Sequence, residues 1–170
     1  IIRDIEARLK KLRFVKKVVV AGSFRRRKET IGDIDWLVTA ASEKDTERIS
    51  EFFVKLPEVK AVIAQGPTKS MVRLKNGLGM DLRVVPEESY GAALNYFTGS
   101  KDHNVAMRQI AIEKGMKLNE YGLFRGKRRV AGKTEVEIYE KLGLRYIEPE
   151  LREMTGEIEA ARENKLPNLI

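Results

Sequence analysis

Apolar side chains recur at helical spacing at the start of the chain, at Ile2, Ile5, Leu9 and Leu12. That spacing predicts an amphipathic helix with one face buried. The pattern then shortens to that of strands. Val18-Val19-Val20-Ala21 is a β-rich apolar run that stops at Gly22-Ser23, and Asp33-Ile34-Asp35-Trp36-Leu37-Val38 reads as a second strand after a turn at Gly32. Ser42 is the expected N-cap of a helix whose stripe is Ile49, Phe52, Phe53 and Leu56, and Pro57 ends it. Residues 59–64, 71–74 and 80–85 read as further strands, the last two joined near Asn76-Gly77 as a hairpin.

Pro86 marks a change of texture. Residues 90–97 and 104–114 have the pattern of two helices split by Thr98-Gly99-Ser100, with Gly115 suited to end the second. Residues 116–130 read as short strands in a basic hairpin. Thr134 and Glu137 have the spacing of a capping box ahead of a short helix that stops at Gly143. From Pro149 on, Glu and Arg alternate with few large apolar residues, so this tail is expected to pack weakly, or against something outside the chain. The predicted class is α/β to α+β: a mixed sheet with helices on one face over residues 1–86, a small α+β subdomain over 87–147, and a linker or tail over 148–170.

Composition narrows the chemistry. The chain of 170 residues is 42% hydrophobic, enough for a packed interior. It has no Cys, which excludes a disulfide scaffold, a Cys-ligated zinc and a thiol nucleophile within it. His103 is the one His, which excludes a site built on several histidines; a structural or exposed place is expected for it, with no role in the chemistry. No apolar run is long enough to span a membrane and no secretory pattern opens the chain, so a cytoplasmic protein without membrane contact is expected. The first residue is Ile1 and a helical pattern starts at once, so a fragment of something larger is expected. The net charge of +8 favours a polyanionic partner.

Two carboxylates carry the sharpest signal. Asp33 and Asp35 lie two apart in a predicted strand and so face the same side. Carboxylates about 4 Å apart repel by roughly 4 kcal/mol at an effective dielectric near 20. Such a pair needs a proton, a cationic side chain or a metal. Asp81 begins another predicted strand, and three carboxylates converge if the strands are neighbours. Hard oxygen donors without His or Cys suit Mg²⁺ or Mn²⁺. The plainer alternative is that Asp33 ends a turn and Asp35 pairs with a surface Arg. Upstream, Gly22-Ser23 followed by Phe24-Arg25-Arg26-Arg27-Lys28 would offer backbone N–H groups, a helix N-terminus and cations to phosphate.

The run from Gly22 to Asp35, Gly-Ser-Phe-Arg-Arg-Arg-Lys-Glu-Thr-Ile-Gly-Asp-Ile-Asp, resembles the nucleotidyltransferase signature of the family X DNA polymerases, the DNA polymerase beta family. Asp81-Leu82-Arg83-Val84-Val85-Pro86 resembles that family's third-carboxylate strand. Tyr96-Phe97-Thr98-Gly99-Ser100, with Asn104 and Arg108, resembles its nucleotide-selecting helix, and the run from Lys117 to Phe124 resembles the strand region after it. The likeness runs over about residues 15–147 and is of the prokaryotic type.

The resemblance implies a nucleotidyltransferase palm followed by a nucleotide-selecting thumb- or fingers-type subdomain. It implies a template-directed DNA polymerase acting on primed or gapped DNA with deoxynucleoside triphosphates, in short-gap repair. Asp33 and Asp35 would bridge two ions, Mg²⁺ or Mn²⁺, and Asp81 would complete the site of the catalytic one. Gly22, Ser23, Arg26 and Gly32 would hold the triphosphate; Tyr96, Phe97 and Gly99 would line the sugar pocket. Asn104 would reach the base edge and Arg108 the template strand. Upstream DNA-binding modules and a downstream phosphoesterase domain are expected in the full-length protein. Two positions depart from the pattern: Gly79 stands where some relatives carry Arg, and Lys101 where an acidic residue is frequent. Two rival readings remain: a transferase acting on RNA ends or a protein, and a DNA-binding module silent in isolation.

Overall fold

The computed structural model describes residues 1–167, so the last three residues of the expected 148–170 tail lie outside the described residues. The chain divides into two units. The first comprises Ile1–Phe24 and Thr30–Glu87; the second comprises Arg25–Glu29 and the chain from Glu88 on.

The first unit opens with α1 (Ile2–Lys10), which buries Ile5 and Leu9. Its sheet holds β1 (Val15–Val20), β2 (Ile34–Ala40), β3 (Val59–Gln65), β4 (Lys69–Leu74) and β5 (Gly79–Val84), in the order β1-β2-β5-β4-β3. Within this sheet β2 and β5 run parallel, joined through α3 (Thr46–Val54) and then the β3–β4 hairpin; the other neighbouring pairs are antiparallel. The sheet is therefore mixed, and the fold class is the α/β to α+β one expected. Ser42 stands at the N-terminus of a short 3₁₀ turn, Glu43–Asp45, rather than of α3 itself, and its hydroxyl donates to the Asp45 carboxylate at 2.9 Å.

Side-chain alternation sorts the two central strands. Ile34, Trp36 and Val38 of β2 and Met80, Leu82 and Val84 of β5 point into one core with Ile5, Leu9, Ile49 and Phe53. Trp36 Nε1 donates to Met80 Sδ across it at 3.2 Å. Asp35 and Asp81, at the intervening positions, lie on the opposite face.

The second unit holds α4 (Tyr90–Thr98) and α5 (Lys101–Glu113), then a three-stranded antiparallel sheet of β6 (Lys117–Asn119), β7 (Gly122–Arg125) and β8 (Arg128–Ala131), then α6 (Glu135–Lys141) and α7 (Glu157–Arg162). Thr134 and Glu137 form the capping box at α6. Ser100 Oγ accepts from the His103 N–H at the start of α5.

The tail does not pack weakly. Ile158 and Ala161 of α7 lie in the same core as Met107, Leu123, Ile138 and Tyr139. Arg152 is wholly buried: its Nη1 donates to Glu135 at 2.7 Å and its Nε to the Ile147 carbonyl at 2.9 Å. Arg25 donates to both Glu135 oxygens, at 2.7 and 3.0 Å. Burial pushes the Glu135 carboxyl up, but the Arg152 and Arg25 guanidinium groups hold it below the usual carboxylate range. These contacts couple positions far apart in sequence, which periodicity within the tail does not reveal.

His103 is structural and buried. Its Nδ1 lies 2.7 Å from the Glu157 carboxylate and its Nε2 lies 2.9 Å from the Tyr139 hydroxyl, which also lies 2.9 Å from Asn95 Oδ1. Burial pulls the imidazole pKa down and outweighs the upward pull of Glu157.

Two outcomes follow from the second unit. Ile158→Ala should cost about 2–5 kcal/mol in urea denaturation, as a buried aliphatic truncation does; a change below about 0.5 kcal/mol, the scale of an exposed substitution, would return the tail to a loosely packed linker. The depressed pKa of His103 makes its contribution fully present above the unfolded value near 6.5 and lost as pH falls through the folded value. The urea midpoint should therefore drop between pH 7.5 and pH 5.5, and drop less in His103→Gln. A midpoint that rises on acidification would show that the buried ring is charged in the native state.

Candidate active site

β2 and β5 place the carboxylates. Their parallel register sets Asp35 directly beside Asp81. Asp33 precedes β2, outside the strand in which it was expected, and is exposed. It keeps to this end of the sheet because the Gly79 N–H donates to its Oδ1 at 3.3 Å. Burial pushes the Asp81 carboxyl up, and the charge of Asp33 pushes it further; Lys69 and Arg83 pull the other way.

Two glycines shape these carboxylates. Gly22 has φ 63, the left-handed region that favours glycine, and a Cβ there would overlap Asp35 Oδ2. A Cβ on Gly79 would stand 2.9 Å from Asp33 Cγ and Oδ1. The missing side chain at Gly79, in sequence a departure from some relatives, is thus what lets Asp33 rest on the backbone of β5. Only the cross-strand register reveals that role.

No group of three or more His, Cys, Asp or Glu side chains is gathered as a ready metal cluster among the described residues. The chemistry of the donors nonetheless fits a hard divalent cation. Asp33, Asp35 and Asp81 would supply oxygen ligands from one end of the sheet, and burial together with the charge of Asp33 raises the Asp81 carboxyl. A hollow on this unit, lined by Arg8, Phe14, Arg48, Phe52 and Leu56, includes none of the three.

The Gly-Ser turn opens a helix, as expected, but a short one. Gly22 and Ser23 open α2 (Gly22–Arg25), a single turn, and the chain leaves helical geometry at Arg27, φ 57. The helix contributes little dipole, so phosphate binding here would rest on side chains and loop N–H groups. Gly32 is exposed, with no atom within 4 Å of where its Cβ would be. Arg26 is not the freely solvated cation that a basic run suggests. Within the second unit its Nη1 donates to the Thr98 carbonyl and its Nε to Glu153.

The other expected nucleotide residues belong to the second unit. Tyr96 and Phe97 meet edge to face, ring centroids 4.9 Å apart. Gly99 has φ 73 and packs against the Arg26 guanidinium. Asn104 does not cap its helix; its Nδ2 donates to the Tyr96 carbonyl at 2.7 Å, while its Oδ1 is buried without a hydrogen-bond partner among the described residues. Tyr96, Asn104 and Arg108 line one small recess with Asn95 and Asn119. Phe97 and Gly99 are not among its lining residues.

The sequence profile of the DNA polymerase beta palm matches residues 1–75, and that of the DNA polymerase beta thumb matches residues 93–153. The solved ternary primer–template complex of Leishmania infantum polymerase beta superposes with a TM-score of 0.69 at 30% identity, over 81% of this chain and 67% of that one. The chain belongs to the DNA polymerase beta family, family X. Family X relatives include the DNA polymerase/3′-5′ exonuclease PolX of Bacillus subtilis, 40% identical over 164 residues, which cover 94% of this chain and 28% of that protein. Rat DNA polymerase lambda is 34% identical over 167 residues, covering 79% of this chain and 28% of that protein. The chain thus spans 28% of the length of each of these two relatives.

Gly79→Ala tests the carboxylate geometry. Its backbone accepts Ala, so the thermal midpoint should hold while Mn²⁺ affinity falls about tenfold or more, as when a group that orients a ligand is lost. Unchanged Mn²⁺ affinity would show that Asp33 needs no support from β5.

Proposed function

We propose that this chain is the catalytic portion of a template-directed DNA polymerase that adds a deoxynucleotide from its triphosphate to a primer 3′-hydroxyl in gap-filling repair. The observation that carries the reading is the register of Asp35 beside Asp81, with Asp33 pinned by Gly79, in a chain of family X. Residues 1–86 would serve as the catalytic palm and 87–147 as the nucleotide-selecting subdomain. Upstream DNA-binding modules and a downstream phosphoesterase domain would complete the full-length protein, as part of a DNA-processing enzyme.

Asp33 and Asp35 would hold two Mg²⁺ or Mn²⁺ ions, with Asp81 completing the catalytic one. Bound there, such ions supply acidification of the attacking hydroxyl and neutralisation of the phosphates. Ser23, Arg26 and the backbone at Gly22 and Gly32 would bind the triphosphate. Tyr96, Phe97 and Gly99 would set the sugar, Asn104 the base and Arg108 the template strand. Asp81 would accept the hydroxyl proton, since the sole His is buried elsewhere. The rest of catalysis is positioning.

Single-nucleotide gap filling with Mg²⁺ tests this reading directly. Wild type should incorporate deoxynucleotides in preference to ribonucleotides, and Asp33→Ala and Asp81→Asn should fall to background with unchanged circular dichroism. Substantial Mg²⁺-dependent incorporation by Asp33→Ala would overturn the carboxylate assignment. A preference for ribonucleotides would turn the reading to a transferase acting on other acceptors.

A further inference from the structure

The basic run after Gly22-Ser23 is already engaged by carboxylates. Arg26 Nε donates to Glu153 Oε2 at 2.8 Å, and Lys28 Nζ lies 3.7 Å from the same oxygen. Arg27 Nε lies 3.5 Å from Glu150 Oε1. These acidic residues come from the tail that was expected to pack weakly, and all of these groups belong to the second unit.

The pairs are unequal. Arg27 is 78% exposed, so its contact with Glu150 is a solvated surface pair of little strength. The Arg26 and Glu153 side chains are 16% and 25% exposed, and the backbone around Glu153 is fixed on both sides. On one side, Arg152 is buried against Glu135, and its carbonyl accepts from the Ser100 N–H at 3.0 Å. On the other, Glu157 accepts from the Met154 N–H at 3.1 Å and the Thr155 N–H at 2.8 Å while it holds His103. Glu153 is therefore presented to Arg26 by two anchors rather than reaching it by chance.

We propose that Glu153 is a built-in competitor for polyphosphate at Arg26 and Lys28, so that binding of a nucleoside triphosphate is an exchange of this carboxylate for phosphate. The proposal rests on the reading of Arg26 as a triphosphate ligand. A carboxylate and a phosphate oxygen seek the same charge-assisted N–H donors. Two anions cannot share them closely without repulsion, so the phosphate must displace the carboxylate. The population of chain with Arg26 released sets the apparent affinity below the intrinsic one. A group carrying several charges overcomes the resident carboxylate more readily than a single phosphodiester, which gives the site a preference for triphosphates over the DNA backbone. Glu153 is a positioning residue, since it acts on the ligand through Arg26.

Calorimetric titration of inorganic tripolyphosphate into the whole chain, without metal, reads the exchange directly. Glu153→Gln keeps the shape and removes the charge; it should tighten binding about tenfold, about 1.4 kcal/mol. Glu153→Asp, which shortens the reach, should tighten it in part and stands in if the first variant folds poorly. Glu150→Gln should change it less than about twofold. The gain from Glu153→Gln should vanish in the Arg26→Ala background. A deoxynucleoside triphosphate should follow tripolyphosphate, whereas a short oligonucleotide with no terminal triphosphate should not. Equal or weaker tripolyphosphate binding by both Glu153 variants, with wild type binding, would overturn the exchange and leave the reading of Arg26 standing. Tripolyphosphate bound by none of the proteins would overturn both. A gain confined to the oligonucleotide would assign the basic run to the DNA backbone and overturn the proposal.

Discussion

A carboxylate clasped by two guanidinium groups, Glu135 between Arg25 and Arg152, is the constraint on which the second unit depends. Arg152 is wholly buried, and a buried cation is tolerable only with a partner in good geometry. Glu135 supplies it from the first turn of α6, where a negative charge also meets the favourable end of the helix dipole. The Tyr146 hydroxyl donates to the same carboxylate at 3.2 Å. Removing Glu135 would leave the buried Arg152 without its carboxylate in a poorly hydrated interior. From this clasp follow the path of the chain at Pro149–Leu151, the site of Glu153 and the meeting of Ser100 with Arg152.

The first unit answers to a different constraint, the two-residue alternation of a strand. One set of positions on β2 and β5 buries Trp36, Val38, Met80 and Leu82, and the other set presents Asp35 and Asp81. Core and chemistry are opposite faces of the same two strands. A slip of one residue in register would turn the carboxylates into the core and the Trp into solvent, so the packing that stabilises this sheet also enforces the alignment of the acids. The family likeness and the apolar periodicity thus report one physical fact.

Local signals were legible. The stripe through Ile5 and Leu9 and the capping box of Thr134 and Glu137 act over a few residues of one element. What escaped depends on partners distant in sequence. The tail looked poorly apolar because part of its anchoring is ionic and polar, through Arg152 with Glu135 and Glu157 with His103. α2 stops after one turn, and nothing in the basic run announces the left-handed residue at Arg27. Gly79 registered as a departure from relatives, and its contact with Asp33 becomes visible only when β5 is laid beside β2. The N-cap of α5 is Ser100, and Asn104 instead donates to the Tyr96 carbonyl.

The membership of Arg25–Glu29 in the second unit has a consequence for how such a chain can evolve. The texture change at Pro86 invites a view of two cassettes laid end to end, each free to be exchanged or duplicated. The second is not self-contained, because one arm of its clasp is encoded some sixty residues upstream, inside the stretch that otherwise builds the first. A recombination point near Glu87 would deliver a second half with Glu135 and Arg152 but without Arg25. An exchange at that point would break the clasp, because the seam in sequence is not a seam in interactions.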